Sequence, residues 1–525
     1  MKNYKNIFRI LIGTVCFQLS MTGCSDDFLT PDPLSLYEPS ITFNTVEGLN
    51  AALASADKAL RAYWTNTEAC DLMLPLMSEY LFSDLTVAAK TDDALIFCDI
   101  NERFTPNNGW YNFDQNRLVI FWGETYNGIK YANTIISYID KVEGLDESIK
   151  NEYLGRAYFH RAYRYLNLCF QFGDVPFVSK IIDRPKQDYK STKREAIIKK
   201  LVQDMEFAVQ HVPDQKDMTY IGMINKGACR QLLIKCYLAN GEFQKAKEQA
   251  DILISQSGYK LMTETFGTFS NPHPTTWNIT NNVIWNLHQG NNKVIAANKE
   301  AILVMPNRYG SDSGIRTRTM RNLVPWWNAT SISTPDNKLA VDRFALTHAS
   351  YDASMDYNRT FGRGVGVVRP TYFAENSLWY LNGNHDDGDL RHNSKVNIDD
   401  IVDERARELY MEEWRFTELS RISYCLALSG KPDNEGKVYD VDKLYEDSFW
   451  WHRINKYNNY YNKPDAPIVK GRKYTIGRHN INWPIPQSAI DANLLGKLGQ
   501  NPGYDGYDPT VEKWNTWEEA VADEQ

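Results

Sequence analysis

The chain has no surplus of positive charge: its formal net charge is −8 over 525 residues, and it contains no long basic run. Neutralising phosphates takes clustered Lys and Arg, so nucleic acid is excluded as a partner. Motifs that handle metals and nucleotides are missing as well. The nine His residues make no HExxH spacing and have no Cys partner, and there is no Gly-rich phosphate cradle and no G-x-S-x-G nucleophile elbow. Cysteine is sparse, at eight residues, with no CxxC pair and no disulfide-dense pattern. Cys229 and Cys236 stand seven apart, on one face of a helix, and read as buried thiols in preference to a bridge or a metal pair. Long apolar runs are also scarce. Beyond the N-terminus no stretch approaches the roughly 18 apolar residues of a membrane span.

What the N-terminus does hold is a short export signal. Lys2, Lys5 and Arg9 make a positive start, and Ile10 to Leu19 form an uncharged, mostly apolar run. That run is too short to cross a bilayer as a helix, which needs about 20 apolar residues. Its length and flanks fit a secretory signal. It ends in Met21-Thr22-Gly23-Cys24, which resembles a bacterial lipobox. Acylated Cys24 would then be the first mature residue, after a signal peptide of residues 1–23. Several acyl chains give the multiple membrane signals that stable anchoring requires.

The rest reads as a soluble, mainly α-helical body, long enough for one large domain or two to three smaller ones. Residues 24–45 form a tether and 46–525 the body. The first helix is expected over 46–65, where Leu49, Leu53, Ala56 and Leu60 recur at helical spacing. Further helices are expected at about 70–83, 117–140, 147–171, 191–211, 222–239 and 242–256, with renewed helical character at 399–428. Residues 84–116 read as loop. So, with short strands, does about 257–398, which is broken by Asn, Gly and Pro clusters; 431–525 is again irregular. Tyr237-Leu238-Ala239-Asn240-Gly241-Glu242-Phe243, followed by Ala246, Ala250 and Leu253, looks like the turn and second helix of a tetratricopeptide unit. Gly241 would allow the turn, Phe243 fill the gap between the helices, and the two alanines permit close approach.

Five ordered segments carry a more specific resemblance. They are Cys24-Ser25-Asp26-Asp27; Arg156-Ala157-Tyr158-Phe159-His160-Arg161-Ala162-Tyr163 running into Phe172-Gly173-Asp174-Val175-Pro176; Gly227-Ala228 leading to Tyr237-Leu238-Ala239-Asn240-Gly241; Asp403-Glu404-Arg405-Ala406-Arg407-Glu408-Leu409 continuing to Glu413-Trp414-Arg415-Phe416; and Pro484-Ile485-Pro486-Gln487 with Asn493 and Gln500-Asn501-Pro502-Gly503-Tyr504. Together they resemble the SusD/RagB family of outer-membrane lipoproteins. Glu413-Trp414 stands where that family usually has Glu-Gly, and Thr417-Glu418-Leu419 where it has an aromatic-Asp-Leu. The resemblance implies a tetratricopeptide-like scaffold whose loop-rich region holds an oligosaccharide, or in some members a peptide. It also implies an outer-membrane location facing the cell exterior, a SusC-like TonB-dependent transporter as partner, and no catalysis.

Weighed on their own chemistry, Glu404, Glu408, Glu412 and Glu413 invite a glycosidase reading, which needs two carboxylates across a sugar. Arg405, Arg407, Arg415 and Arg421 lie among them at helical intervals, so ion pairs are the commoner reading. The acidic stretch Asn382–Asp389 fails the register of a calcium loop. It reads as a solvated turn, with an irregular structural calcium site as the alternative and no other cofactor expected.

High aromatic content, with 14 Trp and 31 Tyr, supplies flat amphipathic faces suited to sugar rings. Trp110 and Tyr111 lie in the loop after the second expected helix, while Tyr309, Trp326, Trp327, Trp379 and Tyr380 lie in the central loop region. In the family these two regions hold the ligand, which makes Trp110 and Trp326 or Trp327 the leading platforms. Adjacent Trp326 and Trp327 cannot both face one way in an extended segment. Arg316, Arg318 and Arg321 form a basic cluster beside them, either a solvated loop or a donor set for a carboxylate. Asp84 and Arg369 complete the expected ligand set by their position in loops. Three functions follow: glycan capture, peptide capture on the same scaffold, and a lipid-anchored glycosidase.

Overall fold

In the computed structural model, residues 42–61, 64, 75–89, 98–107, 117–182, 185–270, 280–305, 366–381, 384–385, 396–468 and 471–524 are described. Helix α1 (Val46–Leu60) begins at Thr45, whose hydroxyl caps Gly48 N at 3.1 Å. It buries Leu49, Ala52, Leu53, Ala56 and Leu60 on one face, as the spacing predicts. Short α2 (Pro75–Leu81) leads into strand β1 (Thr86–Ala88). Then α3 (Arg117–Tyr138), α4 (Glu147–Gln171), α5 (Arg194–His211), α6 (Lys226–Ala239) and α7 (Phe243–Ser255) pack each on the next, and α1 closes the row against α3. This is the expected tetratricopeptide-like stack.

Charged residues buried in α4 cross-link its neighbours. Arg161, 2% exposed, binds Asp204 of α5 through Nη2 at 2.6 Å. Arg164 reaches back to the Ala56 carbonyl of α1 at 2.9 Å, and His160 meets Asp57 at 2.9 Å. Gly128 of α3 makes room for this. A Cβ there would fall 1.6 Å from Arg164 Nε.

The turn between α6 and α7 runs through Gly241 at φ +75°, the left-handed region that favours glycine. Ala246 is buried and Ala250 half-buried, but Phe243 is 37% exposed and does not fill the gap between the helices. Tyr237 is buried and donates its hydroxyl to Glu206 of α5 at 2.6 Å, which ties α6 back to α5.

Strand β2 (Val368–Pro370) pairs antiparallel with β1, placing Arg369 opposite Val87. The stretch expected to be helical over 399–428 is two helices, α8 (Ile398–Glu408) and α9 (Arg415–Ser429). Between them Met411 adopts φ +62°, a conformation that stops a helix. Asn397 and Asp400 form a capping box at the start of α8. The C-terminal region is less irregular than expected, since it contains α10 (Phe449–Tyr457) and short helices at Gln487–Ala492 and Trp517–Ala522. It also completes the core. Trp483 stacks on Phe416 with ring centroids 5.0 Å apart, and Trp450 is fully buried. Cys98, Cys169, Cys229, Cys236 and Cys425 are free thiols, and burial pushes Cys236 up to about 12.

Candidate functional site

The loop between α2 and β1 carries Asp84, which was expected at the ligand face. It is fully buried instead. Its Oδ1 accepts Arg415 Nε at 3.0 Å, and its Oδ2 accepts Arg415 Nη2 at 2.8 Å and Arg453 Nε at 2.6 Å. Burial alone would raise this carboxyl, but the two guanidinium groups outweigh it and hold it at about 2. With both oxygens occupied and no surface exposed, Asp84 belongs to the scaffold. Its short polar side chain in a loop looked available from sequence because its two partners come from α9 and α10, far along the chain.

The same network accounts for the Glu/Arg-rich segment. Arg453 continues to Asp399 at 2.9 Å and to Asp403. Glu413 joins Arg415 at 3.2 Å and also pairs with Arg405. Glu418 collects Arg421 at 2.8 Å, Arg405 at 3.2 Å and Lys235 of α6 at 2.7 Å. Burial opposes the charge on Glu418, yet Arg421, Lys235 and Arg405 hold its carboxyl well below the usual range. Arg407 pairs with Glu404 at 2.9 Å. Glu404–Arg407 and Glu418–Arg421 pair at helical intervals as expected, whereas Arg405, Glu413 and Arg415 are ion-paired across the helix break and to Asp84.

This network holds a surface above it. Arg415 and Arg453 fix the base of β1, and β1 fixes β2 through Ala89 N to Val367 O at 2.9 Å and Thr371 N to Leu85 O at 2.8 Å. Arg369 on β2 is half-buried, its guanidinium 4.4 Å over the ring of Tyr460. Directly after β2 come the exposed aromatics Tyr372, Trp379 and Tyr380. Their segment is tied down at both ends: Tyr372 N donates to Asn459 Oδ1 at 3.0 Å, and Arg407 Nη1 donates to Leu378 O at 2.8 Å. Trp379 spends its indole N–H on Ala374 O at 2.9 Å, which fixes its ring while leaving it 38% exposed. A rigid, exposed aromatic beside polar groups is what a sugar ring stacks on. Sequence reasoning missed Tyr372 and Tyr460. Tyr460 in particular carries no local signal, because it meets Arg369 only through the tertiary fold.

Elsewhere a cleft of about 650 Å³ opens beside the α8–α9 break, lined among others by Trp64, Leu303, Met305, Met411 and Glu412. Trp64 is held there by its N–H to Glu412 O at 3.0 Å and by edge packing on Trp414 at 5.7 Å.

Cys24, Trp110, Tyr111, Tyr309, Arg316, Arg318, Arg321, Trp326 and Trp327 lie outside the described residues. Of the acidic stretch 382–389, Asn384 and His385 are described, in a short antiparallel pair with Tyr380 and Leu381. Among the described residues no group of three or more His, Cys, Asp or Glu is arranged to hold a metal ion. Nor is any described helix long and apolar enough to cross a membrane.

Stacked helix pairs with a loop-bearing side define a mainly α-helical scaffold of the tetratricopeptide-like kind. Residues 73–238 match a SusD-like family described as "Starch-binding associating with outer membrane", and residues 352–504 match the SusD family proper. The chain belongs to the SusD/RagB family. SusD-like protein P2 of Formosa agariphila is 27% identical over 259 residues, 49% of this chain and 46% of that protein. A SusD-like protein of Bacteroides ovatus is 24% identical over 158 residues, 27% of this chain and 28% of that one. The matched stretches therefore span about half or less of these relatives. Among solved structures, a SusD superfamily protein from Parabacteroides distasonis superposes with a TM-score of 0.53 at 16% identity, covering 87% of this chain and 99% of its own. A laminarin-binding SusD-like protein gives 0.50 at 17% identity, covering 88% and 100%. These likenesses speak for the fold.

Proposed function

We propose that this protein is a surface lipoprotein, anchored through acylated Cys24, that captures a glycan and passes it to a SusC-like TonB-dependent transporter in the outer membrane. The observation that carries this reading is the pair of family matches over residues 73–238 and 352–504, the first described as starch-binding and outer-membrane-associated. The lipobox-like Met21-Thr22-Gly23-Cys24 supports the anchor. Exposed Tyr372, Trp379 and Tyr380 support a sugar-stacking face, to which Trp110, Tyr111, Tyr309, Trp326 or Trp327, Arg316, Arg321 and Arg369 would add contacts. Asp84 is withdrawn from that set. Of the four carboxylates considered for hydrolysis, Glu404 and Glu413 are ion-paired, and a carboxylate already neutralised by arginine is poorly placed to act as acid or nucleophile.

Affinity electrophoresis of protein lacking residues 1–24, through gels containing a panel of polysaccharides, tests the reading. Retardation without product release supports it. Retention of mixed oligopeptides and of no glycan would move the function to peptide capture, and release of shortened sugars would revive the glycosidase. For delivery, the anchored protein should co-purify with a TonB-dependent barrel from outer membranes; failure under mild detergent counts against that step.

A further inference from the structure

Two concavities lie along one side of α3 and meet at Lys186, which lines both. The first, about 310 Å³, is bounded by Trp122 and Tyr126 of α3 and by Val178, Tyr189, Ala489 and Ala492. The second, about 560 Å³, lies at the C-terminal end of α3, against Ser137, Tyr138 and Lys141. The walls are fixed. Tyr126 Oη donates to Pro176 O at 2.8 Å, Asn133 Nδ2 to Val178 O at 2.9 Å, and Ile181 N to Ser137 Oγ at 3.0 Å. Residues 176–181 are thereby strapped along α3. On the other side, Asn493 exchanges two hydrogen bonds with the Tyr189 backbone, at 2.8 and 2.9 Å. Of the charges lining the second concavity, Lys186 is paired with Asp188 and Asp523, and Glu524 accepts Ser179 N. Lys141 and Lys180 also line it, and among the described residues neither pairs with a carboxylate.

The place where the chain enters the fold points to an occupant. The described residues begin at Thr42, and Phe43 packs on Tyr138 with ring centroids 5.9 Å apart. Residues 25–41 therefore meet the body at the Tyr138 end of the trough. They contain Pro31-Asp32-Pro33-Leu34, and they carry Asp26, Asp27, Asp32 and Glu38 with no Lys or Arg. Proline fixes φ and favours the extended polyproline II form, which aromatic-lined grooves accept at little entropic cost. From Tyr138 back to Trp122, α3 is about 24 Å long. About eight residues of polyproline II cover that distance, and counted back from Thr42 they end at Leu34. We propose that residues 31–34 of this chain dock over Trp122 and Tyr126, with Glu38 passing Lys141 and Lys180 on the way. Fully extended, residues 25–41 would reach about 55 Å, whereas a docked Pro33 leaves about 30 Å between Ser25 and the body. The docking does not depend on acylation of Cys24; its consequence, a body held near the bilayer, rests on the anchor reading above.

The test uses protein lacking residues 1–24, which keeps the whole segment. Chymotrypsin can cut after Leu34, Leu36 and Tyr37, and mass spectrometry follows the cuts. Ala492 is exposed at the rim of the trough, so Ala492→Glu adds bulk and a like charge there without entering the core or altering the cleaved sequence. The wild type should be cut about tenfold more slowly than this variant. Equal rates overturn the proposal: both fast means that the segment is not docked, and the trough is then open to another occupant; both slow means that it is held elsewhere. Circular dichroism melting checks the fold. A disulfide trap in oxygenated buffer decides the matter if Ala492→Glu does not fold. Leu34→Cys combined with Ala492→Cys should link, and Leu34→Cys combined with Ile254→Cys, at a 75% exposed position on α7, should not. Linkage in both pairs or in neither overturns the docking. Each of these failures leaves the lipid anchor standing, since that is read separately from the membrane partition of Cys24→Ala.

Discussion

The buried carboxylate of Glu79 accepts a hydrogen bond from the backbone N–H of Thr417, 338 residues further along the chain, at 2.7 Å. Thr417 Oγ1 at 2.9 Å and Gln171 Nε2 at 2.7 Å also donate to it, so one side chain of α2 joins α4 and α9. Burial raises this carboxyl to about 7 despite those donors. Its ordinary value is 4.5, so between pH 4.5 and 7 the folded protein keeps a proton that the unfolded chain has released. The stability this contributes is full below pH 4.5 and is lost as pH rises through 7. Glu79→Gln, neutral at every pH, should flatten the curve of urea midpoint against pH across that window. Parallel curves for variant and wild type would sink the assignment.

Asp84 should behave in the opposite sense. Its carboxyl is held at about 2 against an ordinary 3.8, so its contribution is present above pH 3.8 and disappears as pH falls towards 2. Asp84→Asn leaves Arg415 and Arg453 buried with too little counter-charge. A loss of about 3–5 kcal/mol is expected from breaking such a pair, read as a lower urea midpoint at pH 7. A change under 1 kcal/mol would mean that Asp399, Asp403 and Glu413 can compensate alone.

At Gly241 the cost of substitution is purely conformational, because nothing lies within 4 Å of an added Cβ while φ is +75°. Gly241→Ala should cost about 1–2 kcal/mol, and Gly241→Asn less, since Asn tolerates the left-handed region. Chemical denaturation should rank the three Gly, Asn, Ala in falling stability. An alanine variant as stable as the parent would contradict the turn geometry.

On the ligand side, Trp326→Ala and Trp327→Ala should separate. One should weaken glycan retention by about tenfold, equivalent to about 1.4 kcal/mol, and the other should leave it nearly unchanged. Equal losses would argue against alternating faces. Cys24→Ala should release the protein from the membrane fraction, measured by detergent-phase partition; persistent membrane association would remove the lipid anchor from the proposal.

Much of the helical architecture was readable in the sequence. Leu49, Leu53, Ala56 and Leu60 marked α1, and the span expected for α4 coincides with Glu147–Gln171. Local pattern failed where the outcome depended on distant partners. Phe-Trp-Trp-His-Arg-Ile-Asn-Lys-Tyr mixes large apolar and polar residues, and only burial of Phe449, Trp450, Arg453 and Ile454 shows α10 to be a helix with one inward face. Arg453 would look like solvent-facing punctuation until Asp84 is seen opposite it. The break at Met411 carries no Gly or Pro, so the signal that usually ends a helix was absent. Phe243 illustrates the converse: a motif position suggested a buried contact, and the side chain is 37% exposed.

The clasp of Asp84 by Arg415 and Arg453 also constrains when the molecule can finish folding. Arg453 lies 369 residues from Asp84, and Trp450 reaches the Phe82 carbonyl across 368. These closures cannot form until most of the chain is available, and contacts of such sequence separation slow folding. Until then the N-terminal half carries an unpaired carboxylate and an incomplete aromatic core. Split anywhere between β1 and α8, Asp84 would be parted from both arginines that clasp it, so the protein should behave as a single cooperative unit whose last-made quarter locks its first.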